Sequence, residues 1–498
     1  MENYLGLDFG TQSVKALMID AASGKLVGSS SAPLELISRD DGTREQLAEW
    51  WLNAFRHCLS QFNSEERNAV VAIGVSGQQH GFVPLGDDGQ VLAPVKLWCD
   101  TSAAAECQQI MTDFGGIERC ISEVGNAILP GYTAPKIRWL KNNRPEIYQQ
   151  LKTILLPHDY INFYLTGELA MECGDASGTG LLDVRQRTWH REMLSALDAD
   201  RDLSKCLPPL VEADAIIGTL SQSAADELGL SAGIPVSAGG GDNMMGAIGT
   251  GNVVPGKLTV SLGTSGTIYA YSDSPIIDES GAVAAFCDST GGWLPLLCTM
   301  NCTVATELTR DLFQWPLGEL DKRIQCVPPG ANGVVTLPFF NGERTPNLPN
   351  GKGCILGLDV DNYTPDNLMR SAMESAVFGL RIGLDVLRDK GCEINSILVT
   401  GGGSKSASWR QMIADVFNLP VTVQKVDEGA ALGAALQALW AHKKSLGEPV
   451  ELEKLTAQYL VDDPDRACIP DSASVEAYQK FYRRYLHYVE GITPLYIN

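Results

Sequence analysis

Two carboxylates stand where the surrounding sequence gives them little structural reason to be. Asp242 follows three glycines in Ala238-Gly-Gly-Gly-Asp-Asn-Met-Met-Gly246 and would open the next helix. Bare backbone lets a ligand approach closely, and a carboxylate there can accept the proton of a hydroxyl that attacks a γ-phosphoryl group. Capping of the helix by the same side chain is the competing account. Asp8 lies in an apolar strand two residues before Gly10. An acid buried without a partner is costly; a magnesium ion beside a phosphate would supply one, and so would backbone N–H groups of the following turn.

Around these acids the chain offers groups suited to polyhydroxylated and anionic ligands. Gln79 and His80 follow a strand ending near Val75, and both side chains can donate and accept hydrogen bonds. Trp98 and Asp100 offer an apolar wall and an acceptor, although Trp98 would serve equally in a core. Gly10 and Thr11 form one glycine-threonine turn, and Gly263, Thr264, Ser265 and Gly266 form another about half the chain away. Such turns present closely spaced N–H groups and hydroxyls to phosphates. Gly401, Gly402 and Gly403 follow an apolar strand and precede Ser404 and Ser406, leaving backbone open to a flat nucleoside or forming a plain strand-to-helix turn.

The elements that must hold these residues repeat. In the first half, strands flank the turn at 10–13, a third strand follows Gly24, and an amphipathic helix carries Trp51, Phe55, Cys58, Leu59 and Phe62 on one face. The strand Ala69–Val75 then enters Ser76-Gly-Gln-Gln-His-Gly81. In the second half a hairpin surrounds Gly263, and Thr364-Pro365 reads as an N-cap with proline at the first helical position. The strand Ser396–Thr400, the glycine triplet and a helix with Trp409, Met412, Ile413, Val416 and Phe417 follow. Asp8 has Ser261 as its counterpart. The expected architecture is α/β, with a first domain over 1–250 carrying a helical insertion at about 100–235, a second over 251–440, and a helical tail over 441–498.

Size and composition agree. A chain of 498 residues exceeds what one core usually serves, and 44% apolar with 20% charged residues is an ordinary globular balance. A net charge of −22 argues against nucleic-acid and anionic-membrane partners. Thirteen cysteines without a CxxC pair read as reduced thiols, and the N-terminus enters a strand directly, so a cytoplasmic protein is expected. Neither GxxxxGK[ST] nor GxGxxG occurs.

Taken together these segments resemble the FGGY carbohydrate kinases, members of the superfamily of actin, Hsp70 and hexokinase. The resemblance covers nearly the whole chain; Gly131-Tyr-Thr-Ala-Pro-Lys-Ile-Arg-Trp-Leu-Lys-Asn-Asn143 and Gly353-Cys-Ile-Leu-Gly-Leu358 with Leu368–Glu374 look like the two family signatures. Within the family, residues 76–81, 131–136, 239–243 and 341–346 look most like members acting on D-xylulose.

The resemblance implies two ribonuclease-H-like domains of the actin-like ATPase type, duplicated, with a cleft between them, and transfer of phosphate from ATP, with Mg2+, to a ketopentose. It makes Asp242 the general base, puts Gln79, His80 and Asn243 on the sugar, and gives Asp8 the metal side. Thr11 and Thr264 become phosphate contacts, and Gly402 and Ser406 face the adenosine. A small-molecule sugar is the implied partner, and a homodimer is expected. Many relatives carry Met where this chain has Gln79, which leaves ribulose, gluconate and glycerol as alternatives; Gln79-His80 speaks against glycerol, whose kinases carry Arg-Glu there. A nucleotide-driven filament former or chaperone of the same superfold would have no use for Gln79, His80 and Asp242.

Overall fold

The computed structural model describes residues 2–426 and 428–496; the last two residues of the expected tail lie outside them. Two mixed sheets repeat one pattern. In the first, the strand Asn3–Phe9 pairs antiparallel with Ser13–Asp20 and parallel with Val70–Gly77, and Leu26–Pro33 extends the antiparallel side. In the second, Gly256–Leu262 pairs antiparallel with Gly266–Ala270 and parallel with Ile394–Thr400, with Leu296–Thr299 and Val421–Thr422 at the edges. The duplicated element order expected from the glycine turns is therefore present.

Periodicity placed the long helices well. Ala48–Ser60 buries Trp51, Phe55, Cys58 and Leu59. Pro365–Asp389 starts from Thr364, whose side chain accepts the N–H of Asn367, with Pro365 in the first turn where its missing donor costs nothing. Ser472–Ile492 lays Tyr478, Tyr482 and Tyr485 around Phe378 of that helix. Short strands were harder to read: Ile216–Thr219 falls within the stretch read as a helical insertion and Pro235–Ser237 at its end, yet they extend the first sheet, Pro235–Ser237 pairing with Val70–Gly77 and Ile216–Thr219 with Pro235–Ser237. Four and three residues are too few for a period to register.

The two sheets meet through a pair of crossing helices, Asp242–Gly249 and Gly429–Ser445. The second lies directly on the first sheet, because Gly6 and Gly74, paired in register, leave room for the backbone at Ala431 and Ala434. Where the helices cross, Gly433 lies against the Met245 carbonyl and Gly249 against that of Gly429, with no space for a side chain at either. A buried layer of Met244, Met245, Ile248, Ala434, Ala435 and Ala438 fills the junction. Among the described residues no helix is long and apolar enough to cross a membrane.

Candidate active site

The cleft between the halves holds two cavities. The inner one, about 260 Å³, is lined by Gln79, His80, Trp98, Tyr132, Phe286 and Arg344, among others. The outer one, about 610 Å³, is lined by Asp8, Lys15, Tyr269, Gly401, Gly402 and Lys405, among others. Asp242, Asn243 and Ser261 line both.

Asp242 is the first residue of its helix, and Gly241 occupies the cap position without a side chain to use. Its Oδ1 accepts from the adjacent Asn243 N–H at 2.8 Å and from Asn243 Nδ2 at 3.1 Å, which is not the capping arrangement. Asn243 Nδ2 also donates to Gln79 Oε1 at 2.8 Å, tying Asp242 to the first lobe's polar pair. Burial above all, then the negative charges of Asp8 and Asp175, push the Asp242 carboxyl up to about 8. Asp8 accepts the Ser76 hydroxyl at 2.9 Å across the parallel strand pair. Its carboxyl is raised by burial, against the lowering pull of Ser76 and Lys15. Lys15 in turn pairs with Glu428 at 3.2 Å.

At the inner end, the His80 ring packs against Tyr132 and Phe286 with centroids 4.9 and 5.7 Å away. Burial, then the cations of Lys136 and Arg344, hold His80 well below the usual imidazole range, so near neutrality it keeps one donor and one acceptor. Gln79 Nε2 rests on Met244 Sδ at 3.2 Å. Trp98 donates its indole N–H to Thr11 Oγ1 at 2.9 Å and forms a wall.

Several expected ligand contacts stand elsewhere. Asp100 does not line the cavity: fully buried, it accepts the Arg44 N–H, the Lys96 ammonium and both Ser102 donors, so its charge is spent on holding the chain around Lys96. Thr11 lines the inner cavity, and its hydroxyl is already engaged by Gln78 and Trp98. The Gly10 N–H bonds to the Ser13 carbonyl and that of Gly263 to the Ser265 carbonyl, each closing its own turn. Gly263 and Ser265 line the inner cavity, whereas Thr264 is exposed beside it. Gly266 is buried against Cys302, Leu380 and Thr299 and does packing work. In the glycine triplet, Gly401 and Gly403 pack on Leu262 while Gly402 has open space above its Cα. Ser406 caps Ala407–Phe417 through the Trp409 N–H and bonds to Asp321; it lines neither cavity, although the adjacent Lys405 lines the outer one.

The second half also contributes more to the inner cavity than the sequence suggested. The segment between Tyr271 and Pro295 folds over the helical region of the first half, supplying Asp278, Val283 and Phe286. Asn126 clamps it with a bond to the Ala285 carbonyl and another from the Ala285 N–H, both 2.8 Å. Arg344, from Asn341-Gly-Glu-Arg-Thr-Pro346, is the cation on this cavity's wall. The motif was visible in the sequence, but nothing there aimed its arginine.

Comparison with known proteins agrees with this geometry. Residues 3–249 match the model of the N-terminal domain of the FGGY family of carbohydrate kinases, and residues 258–442 match that of its C-terminal domain. A xylulose kinase from Haemophilus influenzae is 43% identical, the match covering 98% of this chain and all of that protein. Another from Streptomyces coelicolor is 38% identical over 87% of each chain. The crystal structure of a xyloylose kinase from Brucella ovis superposes with a TM-score of 0.91 at 32% identity, covering 99% of this chain and all of that one. Two actin-like lobes, a cleft with an acid at its midpoint and family matches over both halves lead to one conclusion: the chain belongs to the FGGY family of carbohydrate kinases.

Proposed function

We propose that this chain transfers the terminal phosphoryl group of ATP to a ketopentose, D-xylulose, forming D-xylulose 5-phosphate. The observation that carries the reading is the place of Asp242, at the junction of the two cavities. The inner cavity, with Gln79, His80, Asn243 and an aromatic wall, suits a small polyol; the outer one, with Lys15, Lys405 and bare glycine backbone, suits a nucleotide and its phosphates. The relatives named xylulose kinase support the choice of sugar.

In this reading the sugar lies in the inner cavity with its terminal hydroxyl against Asp242. Asp242 accepts the hydroxyl proton as the oxygen attacks. A carboxylate is a weak base beside an alcohol, but phosphoryl transfer through a loose transition state needs proton removal late, and positioning does most of the work. Arg344 in the inner cavity and Lys15 and Lys405 in the outer one supply the positive charge of the site.

Mg2+ fits the donors present. Among the described residues no cluster of three or more His, Cys, Asp or Glu forms an all-protein cage, and Mg2+ is usually held by one or two carboxylates with phosphate oxygens and water. Asp8 would hold it, directly or through water. When bound, it would neutralise charge on the transferring phosphate.

The test is ADP release measured with D-xylulose, D-ribulose, L-ribulose, gluconate and glycerol. D-Xylulose is expected to give the highest kcat/KM. A panel without stimulation, or one won by gluconate or glycerol, overturns the reading.

A further inference from the structure

Lys136 is a buried cation that the mechanism does not use. It lies in the first turn of the helix Thr133–Asn143, with its side chain out of contact with solvent. Among the described residues it forms no ion pair with a carboxylate. Its ammonium instead donates to two backbone carbonyls, His80 O and Gly131 O, both at 2.7 Å. Burying an ammonium on neutral acceptors is unfavourable, and burial brings its pKa down to about 7. Such a group is retained against a cost, and its partners point to the reason.

One partner, His80, lines the inner cavity, and the other, Gly131, directly precedes Tyr132, which lines it too. His80 has φ of 66°, a left-handed conformation uncommon for a residue with a Cβ. Its carbonyl receives Lys136 at 2.7 Å and the Thr133 hydroxyl at 3.1 Å. The second carbonyl, that of Gly131, precedes Tyr132, whose ring packs on His80. Gly131 itself sits so close to the Trp98 carbonyl that no side chain would fit. One ammonium thus joins the strand-end loop carrying His80, the turn carrying Tyr132 and, through Gly131, the segment carrying Trp98.

We infer that Lys136 is a positioning residue for the sugar: a buried strut that keeps His80 in its left-handed backbone conformation and fixes its spacing to Tyr132 and Trp98. It touches neither the nucleotide cavity nor Asp242, so its effect falls on sugar binding. The inference rests on the reading of the inner cavity as the sugar site.

Lys136→Met keeps the length of the side chain and removes the donors. It is expected to raise KM for the ketose at least tenfold, leaving KM for ATP within about twofold of the parent chain. Lys136→Gln retains two N–H donors and should recover part of the loss. Thr133→Val removes the second donor on the same carbonyl without disturbing a buried charge, and should raise the ketose KM by a smaller factor; it also serves if Lys136→Met does not fold. A folded Lys136→Met with unchanged ketose KM, equal rises in both KM values, or an unchanged Thr133→Val beside an unfolded Lys136→Met would overturn the inference. If the parent chain phosphorylates no ketose, the functional reading fails first; if it does and these variants behave like it, only the role of Lys136 fails.

Discussion

Asp8 and Ser261 hold the same position in two copies of one strand pattern. Asp8 is paired with Lys15 on the antiparallel side and Ser76 on the parallel side; Ser261 is paired with Thr267 and Thr400. Both line the outer cavity. The duplication is therefore equal in backbone and unequal in charge: one half presents a carboxylate, the other a hydroxyl. A nucleotide carrying its own negative charge and one metal ion needs a single such acid, and a second would repel the phosphates.

Asp242 gives a pH test with a definite sign. Its carboxyl is raised to about 8, whereas an aspartate in an unfolded chain titrates near about 3.9. The folded chain therefore binds this proton more tightly, and ionising Asp242 costs stability progressively from about pH 4 to about pH 8. Asp242→Asn is expected to melt higher than the parent above pH 8, with the gap closing toward pH 4. In the proposed mechanism activity runs the other way, because there the ionised form acts as the base. The ketose kcat/KM should climb with pH up to about 8, and the substitution should lower kcat roughly 10²–10⁴-fold with ATP affinity kept. A flat profile, or full turnover in Asp242→Asn, would remove Asp242 from the chemistry.

The three glycines at 401–403 are not equivalent. Gly401 has φ of 83° and would set a Cβ 2.8 Å from the Leu262 carbonyl, so Gly401→Ala should destabilise the fold by about 2–3 kcal/mol. Gly402 has open space and lines the outer cavity. Gly402→Ala should melt within about 1 °C of the parent and raise KM for ATP, leaving the ketose KM alone. Thermal melts and paired KM measurements separate the two, and a Gly402→Ala enzyme with unaltered ATP KM would show that the nucleotide lies elsewhere.

At the helix crossing between the lobes, Gly433 meets the Met245 carbonyl too closely for any Cβ. Gly433→Ala must force Asp242–Gly249 away from its neighbour, and that helix begins with Asp242, the proposed base. A loss of about 3 kcal/mol or more is expected in denaturant unfolding, together with a fall in kcat. Gly429, with open space around it, is the control: Gly429→Ala should be close to neutral in stability.

Asn126 and Ala285 exchange two hydrogen bonds between the halves. Asn126→Ala removes both and leaves two buried backbone groups without their partner, a cost of about 1–3 kcal/mol. The expected result is a three- to tenfold higher ketose KM, because the Val283–Phe286 wall loosens, with a smaller change in ATP KM. Unchanged ketose KM would mean that this wall is held by its other contacts alone.

Much of the site was legible because its parts are local. The acid after three glycines, the two turns, the Gln79-His80 pair and the long helices each occupy a few consecutive residues, and their types carry their own reasons. Asp100 was misplaced for the same cause: its type suits a sugar contact, but Lys96, Ser102 and the Arg44 N–H claim it, and Arg44 lies 56 positions away. Thr11 and Ser406 look like ligand contacts until Trp98 and Asp321 take their hydroxyls.

From the linear chain alone followed the duplicated α/β plan, the identity of the acids and the acidic, helix-and-strand-rich character of the molecule, since periodicity and residue type act over short distances. Tertiary structure alone decided which side chains are free to meet a ligand. It set Phe286 and Arg344 of the second half into the cavity of the first, turned Lys136 into a strut beneath His80, and laid two helices together through Gly433. Each of these depends on segments distant in sequence competing for the same space and the same hydrogen bonds, and no local pattern records the outcome of that competition.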